Sequence, residues 1–152
     1  MKYPFRIFLA ILSVFVLTLS ACSNRNALKI QEAEKMIVAN PDSAMTMLRE
    51  VVNPHLLPDS TQALYWLCIA NIHSNLHQSL SEDSMICWSA DFYRNAWQNA
   101  TLNERTSLLT KRMMKAQILK VFYYWWINEK ETAYQYLEDT QSIAQEINDS
   151  SW

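Results

Sequence analysis

Glycine is absent from all 152 residues. Glycine-rich phosphate loops and tight hairpin turns depend on positive φ or on close backbone approach, so the absence weighs against both. Proline is scarce, at four residues, and Pro41, Pro54 and Pro58 sit at or between helical patterns. Basic excess is also missing, since 13 Lys and Arg face 15 Asp and Glu for a net charge of −2. Nucleic-acid binding needs a basic face to displace counterions, so no nucleic-acid partner is expected. What is plentiful is Ala, Leu, Met, Gln and Glu, and that composition predicts an all-α fold.

The N-terminus carries the sharpest signal. Lys2 and Arg6 precede an apolar run, Ile7 to Leu19, which ends in Leu19-Ser20-Ala21-Cys22. A basic start, an apolar stretch and small residues before a cysteine read as a lipobox, the cleavage and lipidation signal of a bacterial lipoprotein. As an uncleaved anchor, thirteen residues fall short of the ~20 a helix needs to cross a bilayer. Residues 1–21 are therefore expected to be a signal peptide cut between Ala21 and Cys22. Cys22 then carries a diacylglycerol and acyl lipid, with no other cofactor expected. Residues 22–27 read as the lipidated cysteine and a spacer, and 28–152 as a single helical domain with a core. Loss of Lys2 and Arg6 moves the net charge to −4.

The remaining chain shows six helical patterns. The first runs from about Ala27 to Val38, with Ile30, Ala33, Ile37 and Val38 at helical spacing. Asn40-Pro41-Asp42-Ser43 acts as a stop and restart, because proline disfavours helix before it and fits a first helical turn. Helix two is expected over Ala44–Val52 and helix three from Asp59 or Ser60 to about His73. Helix four is expected from Ser81, burying Met85, Ile86, Ala90, Phe92, Tyr93 and Trp97. Thr101-Leu102-Asn103-Glu104 fits a capping box, predicting helix five from there to about Trp126. Asn128 is expected to cap helix six, Glu129 to about Ile147, with Ala133, Leu137, Ala144 and Ile147 facing inward. Six helices on short links make three hairpins, which stack readily into a short α-solenoid.

Asn40-Pro41-Asp42-Ser43-Ala44, Leu48, Ala63-Leu64-Tyr65, Leu67, Glu82-Asp83-Ser84-Met85-Ile86 and Ala90 to Tyr93 together carry a resemblance. The chain resembles the N-terminal region of tetratricopeptide-like lipoproteins of the Bacteroidetes, and residues 105–147 are similar to one tetratricopeptide hairpin. The pattern departs near Val121, where a small residue is expected, and lacks the usual turn proline after residue 147. Longer members of that family continue into more repeats, a transmembrane helix and a cytoplasmic DNA-binding end. The resemblance implies a protein- or peptide-binding scaffold.

Chemistry is thinly represented. His73 and His77 stand at i and i+4, but no HExxH and no ready third ligand accompanies them, so no metal site is expected. Glu82-Asp83 and Glu138-Asp139 are sequence neighbours that point about 100° apart on a helix, unlike a catalytic dyad. Cys68 and Cys87 are expected to stay unpaired, because packed helix axes lie ~8–10 Å apart and disulfide Cα atoms need ~4.4–6.8 Å. No enzyme activity is expected.

Five consecutive aromatics, Phe122-Tyr123-Tyr124-Trp125-Trp126, cover the whole circumference of a helix. Leu119, Phe122 and Trp126 are expected near the inward stripe, as befits a helix buried on two sides. Tyr124 and Trp125, beside Lys120 and Gln117, are candidates for an exposed surface that grips a partner.

The leading expectation is a membrane-anchored binding or scaffold module in the cell envelope. Ser23-Asn24-Arg25 lacks an acidic run resembling a surface-export signal, which favours a periplasm-facing domain. Two alternatives stand beside it: the N-terminal sensory part of a larger tetratricopeptide regulator, and a carbohydrate-binding lipoprotein. Trp152 hints at a homo-oligomer through an uncapped C-terminal end.

Overall fold

The computed structural model describes residues 25–101 and 103–149, so the Ala21–Cys22 site and Trp152 lie outside the described residues. The described residues form six α-helices and one 3-10 turn, with no strand among them. They are α1 (25–36), α2 (Pro41–Arg49), the 3-10 turn (Pro54–Leu56), α3 (Asp59–Asn75), α4 (Met85–Asn99), α5 (Ser107–Trp126) and α6 (Lys130–Asp149). None of these helices is long and apolar enough to cross a membrane.

Local chemistry sets the ends. Asn40 accepts the Ser43 N–H at 3.1 Å, and Pro41 occupies the first turn, where its missing N–H costs nothing. α2 therefore starts three residues before the expected Ala44. Residues 25–27, expected as spacer, already belong to α1. The capping box does form, with Glu104 accepting both the Thr101 N–H and its hydroxyl at 2.9 and 2.8 Å. It caps only a turn. Arg105 donates Nε to the Trp97 carbonyl at 3.1 Å and lies over the Trp97 ring, and Thr106 is extended. Thr106 then caps α5 by accepting the Leu109 N–H. α4 likewise starts at Met85 rather than Ser81, because Ser79 and Ser81 bond one another and Asp83 reaches back to His73.

Without glycine, two helices still end in left-handed residues. His77 (φ 55°) and Asn128 (φ 65°) each bond back three residues, to the Ser74 and Trp125 carbonyls. The next N–H, from Gln78 or Glu129, bonds back five, to His73 or Tyr124. This is the Schellman geometry, whose left-handed position normally holds glycine. Asn128 therefore terminates α5 instead of serving as the N-cap of α6.

The core runs through the described helices without interruption. α3 packs against α2, α4 and α5, and α5 packs against α4 and α6. α3 is buried on several sides, through Ala63, Leu64, Leu67, Cys68, Ala70 and Ile72. Each large aliphatic buried here contributes about 1.5–3 kcal/mol of transfer free energy. Helical phase decides the rest. On α5 the buried face is centred on Met113, Ala116, Gln117 and Lys120. Phe122 lies roughly 180° around from Met113 at about 100° per residue. Phe122 and Trp126 are consequently half-exposed, contrary to their expected inward placement, while Leu119 is buried. On α6 the buried positions are Ala133, Thr140 and Ile143, and Leu137 sits at the solvent edge.

Candidate functional site

Of the four residues expected to grip a partner, three are turned inward by the phase of α5. Gln117, fully buried, donates Nε2 to the Ala90 carbonyl at 2.8 Å. Lys120, 4% exposed, donates to Asp91 at 2.8 Å and lies 3.9 Å from the centre of the Tyr136 ring. Tyr124 stacks on Tyr136 at 5.1 Å and lies beside Cys87. Burial first, then the neighbouring Cys87, pushes the Tyr124 hydroxyl above the ordinary tyrosine range. These groups satisfy one another and join α4, α5 and α6. Trp125 alone stands half-exposed, with Tyr134 against it edge-on at 6.1 Å and Lys130 nearby.

The two histidines part ways. His73 Nδ1 lies 2.7 Å from Asp83, tying the end of α3 to the segment before α4, while His77 makes the left-handed turn. No group of three metal-ligating side chains occurs among the described residues. Cys68 and Cys87 are unpaired thiols, as expected. Burial pushes both upward, which keeps them protonated and poorly nucleophilic.

A concavity lies elsewhere, between α1, α3 and α5. It has a volume of about 510 Å³, within the range of ligand pockets. Ile37, Leu67 and Cys68 give it an apolar floor, and each is almost fully buried. Glu34 of α1 and Arg112 of α5 meet in its wall, where Arg112 donates Nε and Nη2 to the two carboxylate oxygens at 2.8 and 2.6 Å. That hydrogen bonding holds the Arg112 guanidinium above its ordinary pKa. Lys35, Lys111 and Lys115 stand exposed at the edge, beside the half-exposed Leu108. None of these three lysines has an ion-pair or hydrogen-bond partner among the described residues. Four cations thus surround one carboxylate, and that carboxylate is already engaged.

Sequence reasoning passed over this groove. Ile37 and Leu67 look like ordinary core, and lone lysines look like solvated surface. A signal was nevertheless present on α5. Leu108, Lys111, Lys115, Ile118, Phe122 and Trp125 recur every three or four residues, a second stripe opposite the buried one, and all six are exposed. Its N-terminal half borders the groove and its C-terminal half forms an aromatic ledge.

In comparisons with known proteins, the chain matches no protein family, no curated protein and no solved structure.

Proposed function

We propose that this chain is a lipid-anchored, periplasm-facing helical-repeat module that holds a peptide segment of a partner protein in the α1–α3–α5 groove. One observation carries the reading: the odd-numbered helices line a single concavity of about 510 Å³. A stack of helical hairpins, the tetratricopeptide-like arrangement, places alternate helices on one concave face, and extended concave surfaces are what such stacks use to bind. The absence of glycine and the poorly nucleophilic cysteines, Cys68 buried and Cys87 half-buried, fit a scaffold better than a catalyst. The Leu19-Ser20-Ala21-Cys22 segment supplies the anchor, concentrating a modest binding surface at a membrane.

Peptide display selected on the full chain tests the groove. The expected result is enrichment of sequences whose binding falls at least tenfold in Asn71→Trp, a bulky substitution at a residue of α3 that lines the groove. No enrichment, or peptides indifferent to Asn71→Trp, rejects the reading. Intact-mass measurement of membrane-extracted protein tests the anchor: residues 1–21 are absent and Cys22 carries the lipid, whereas Cys22→Ala retains the leader. Half-exposed Phe122, Trp125 and Trp126 favour a second reading, carbohydrate capture on the aromatic ledge. Glycan binding that is lost in Trp125→Ala, with folding intact, supports it, and a blank glycan array removes it.

A further inference from the structure

We infer that the segment held in the groove is acidic and extended, with carboxylates at alternate positions facing Lys111 and Lys115. Its apolar side chains enter over Ile37 and Leu67. The inference rests on the groove reading above and adds the chemistry of the occupant.

Charge gives the sign. Lys35, Lys111, Arg112 and Lys115 border the groove against Glu34 alone. Glu34 takes both forks of Arg112, so the unspent charge belongs to the three exposed lysines. A partner bearing carboxylates gains from all three without breaking the existing pair, whereas a basic partner meets uncompensated repulsion.

Shape gives the class. A small inorganic anion would reach the rim lysines but leave the floor formed by Ile37, Leu67 and Cys68 unfilled. A flat lipid surface meets the same rim but cannot descend to side chains that are at most 4% exposed. A peptide does both, because its side chains alternate in direction. Lys111 and Lys115 lie one turn apart on α5, roughly 5–6 Å between Cβ atoms. Alternate residues of an extended chain repeat about every 6.6 Å. Acids at every second position therefore keep step with the lysines, while the residues between them point toward the other wall and the floor. Leu108, half-exposed at the same edge, extends the apolar contact.

The test is fluorescence anisotropy of the full chain in nonionic detergent, with a labelled peptide of alternating Glu and Leu and its Gln–Leu counterpart. The acidic peptide is expected to bind at least tenfold more tightly, and to weaken markedly with added salt. Lys111→Glu with Lys115→Glu is expected to cut binding at least tenfold while leaving the melting curve in place, since both side chains are exposed and unpaired. Phosphate at matched charge is expected not to displace the peptide. Equal binding of the Gln–Leu peptide, still sensitive to Asn71→Trp, overturns the acidic preference and leaves the groove reading standing. Unchanged binding in the double charge reversal overturns it also. Displacement by phosphatidylglycerol in mixed micelles with that detergent, but not by phosphatidylcholine in the same micelles, overturns it in favour of a lipid surface. Binding of neither peptide overturns the acidic occupant, and the display selection then judges the groove separately.

Discussion

Arg112 on α5 grips both carboxylate oxygens of Glu34 on α1, joining residues 78 positions apart. Both side chains are roughly three-quarters shielded from water. A two-point, charge-assisted contact of this kind is stronger and more directional than a surface pair. It holds the first described helix to the fifth and forms one wall of the groove.

A double-mutant cycle on Glu34→Ala and Arg112→Ala measures that staple. Each single change is expected to cost about 1–3 kcal/mol, with a coupling of about 1 kcal/mol or more, because the survivor is left partly buried without its partner. Urea unfolding reads both values. A coupling near zero identifies the pair as surface decoration.

Lys120 gives the opposite lesson from the rim lysines. Its ammonium is buried between Asp91 and the Tyr136 ring, so Lys120→Ala is expected to destabilise the fold by about 2–4 kcal/mol with no ligand present. Lys115→Ala, exposed and unpartnered, is expected to shift stability by less than about 0.5 kcal/mol. Thermal melts of the two variants check the contrast, and equal effects overturn it.

His77 occupies a left-handed position without glycine's freedom. His77→Gly is expected to stabilise by about 0.5–1 kcal/mol, the relief of the β-carbon clash outweighing the entropy given to the unfolded chain. Asn128→Gly is expected to gain less, because asparagine tolerates this region better. A loss of stability in His77→Gly shows that the ring contributes more than the backbone costs.

Asp83 titrates in an informative direction. Burial raises its carboxyl above the ordinary 3.8, against the opposing pull of its bond to His73. The folded state then binds the proton more tightly than the unfolded state. The stability linked to this group is full below pH 3.8 and is lost as pH rises through the folded value. The melting temperature of the wild type minus that of Asp83→Asn is expected to shrink as the pH rises from below 3.8 through the raised folded value. Growth of the difference over that range contradicts the assignment.

Much of this protein was legible in its residues. The helix-only composition, the restart at Asn40-Pro41, and the core positions Ile30, Ala33, Ile37 and Ala90 follow from local rules. Such rules depend on covalent geometry, spacing and side-chain chemistry within a few turns. The lipidation signal expected at Cys22 is a reading of the same local kind, and the described residues do not reach it.

Tertiary structure decided what spacing could not. Five adjacent aromatics and two polar neighbours offer α5 several phases of similar apolar cover, so sequence leaves its rotation open. Packing against α3, α4 and α6 chose the phase that buries Gln117 and Lys120, whose polar atoms find Ala90 and Asp91 there. The same rotation sends Phe122 and Trp125 outward and aligns Lys111 and Lys115 along a groove. Helix existence is a local free-energy question. Which face becomes a site depends on partners far along the chain, as Glu34 and Arg112 demonstrate.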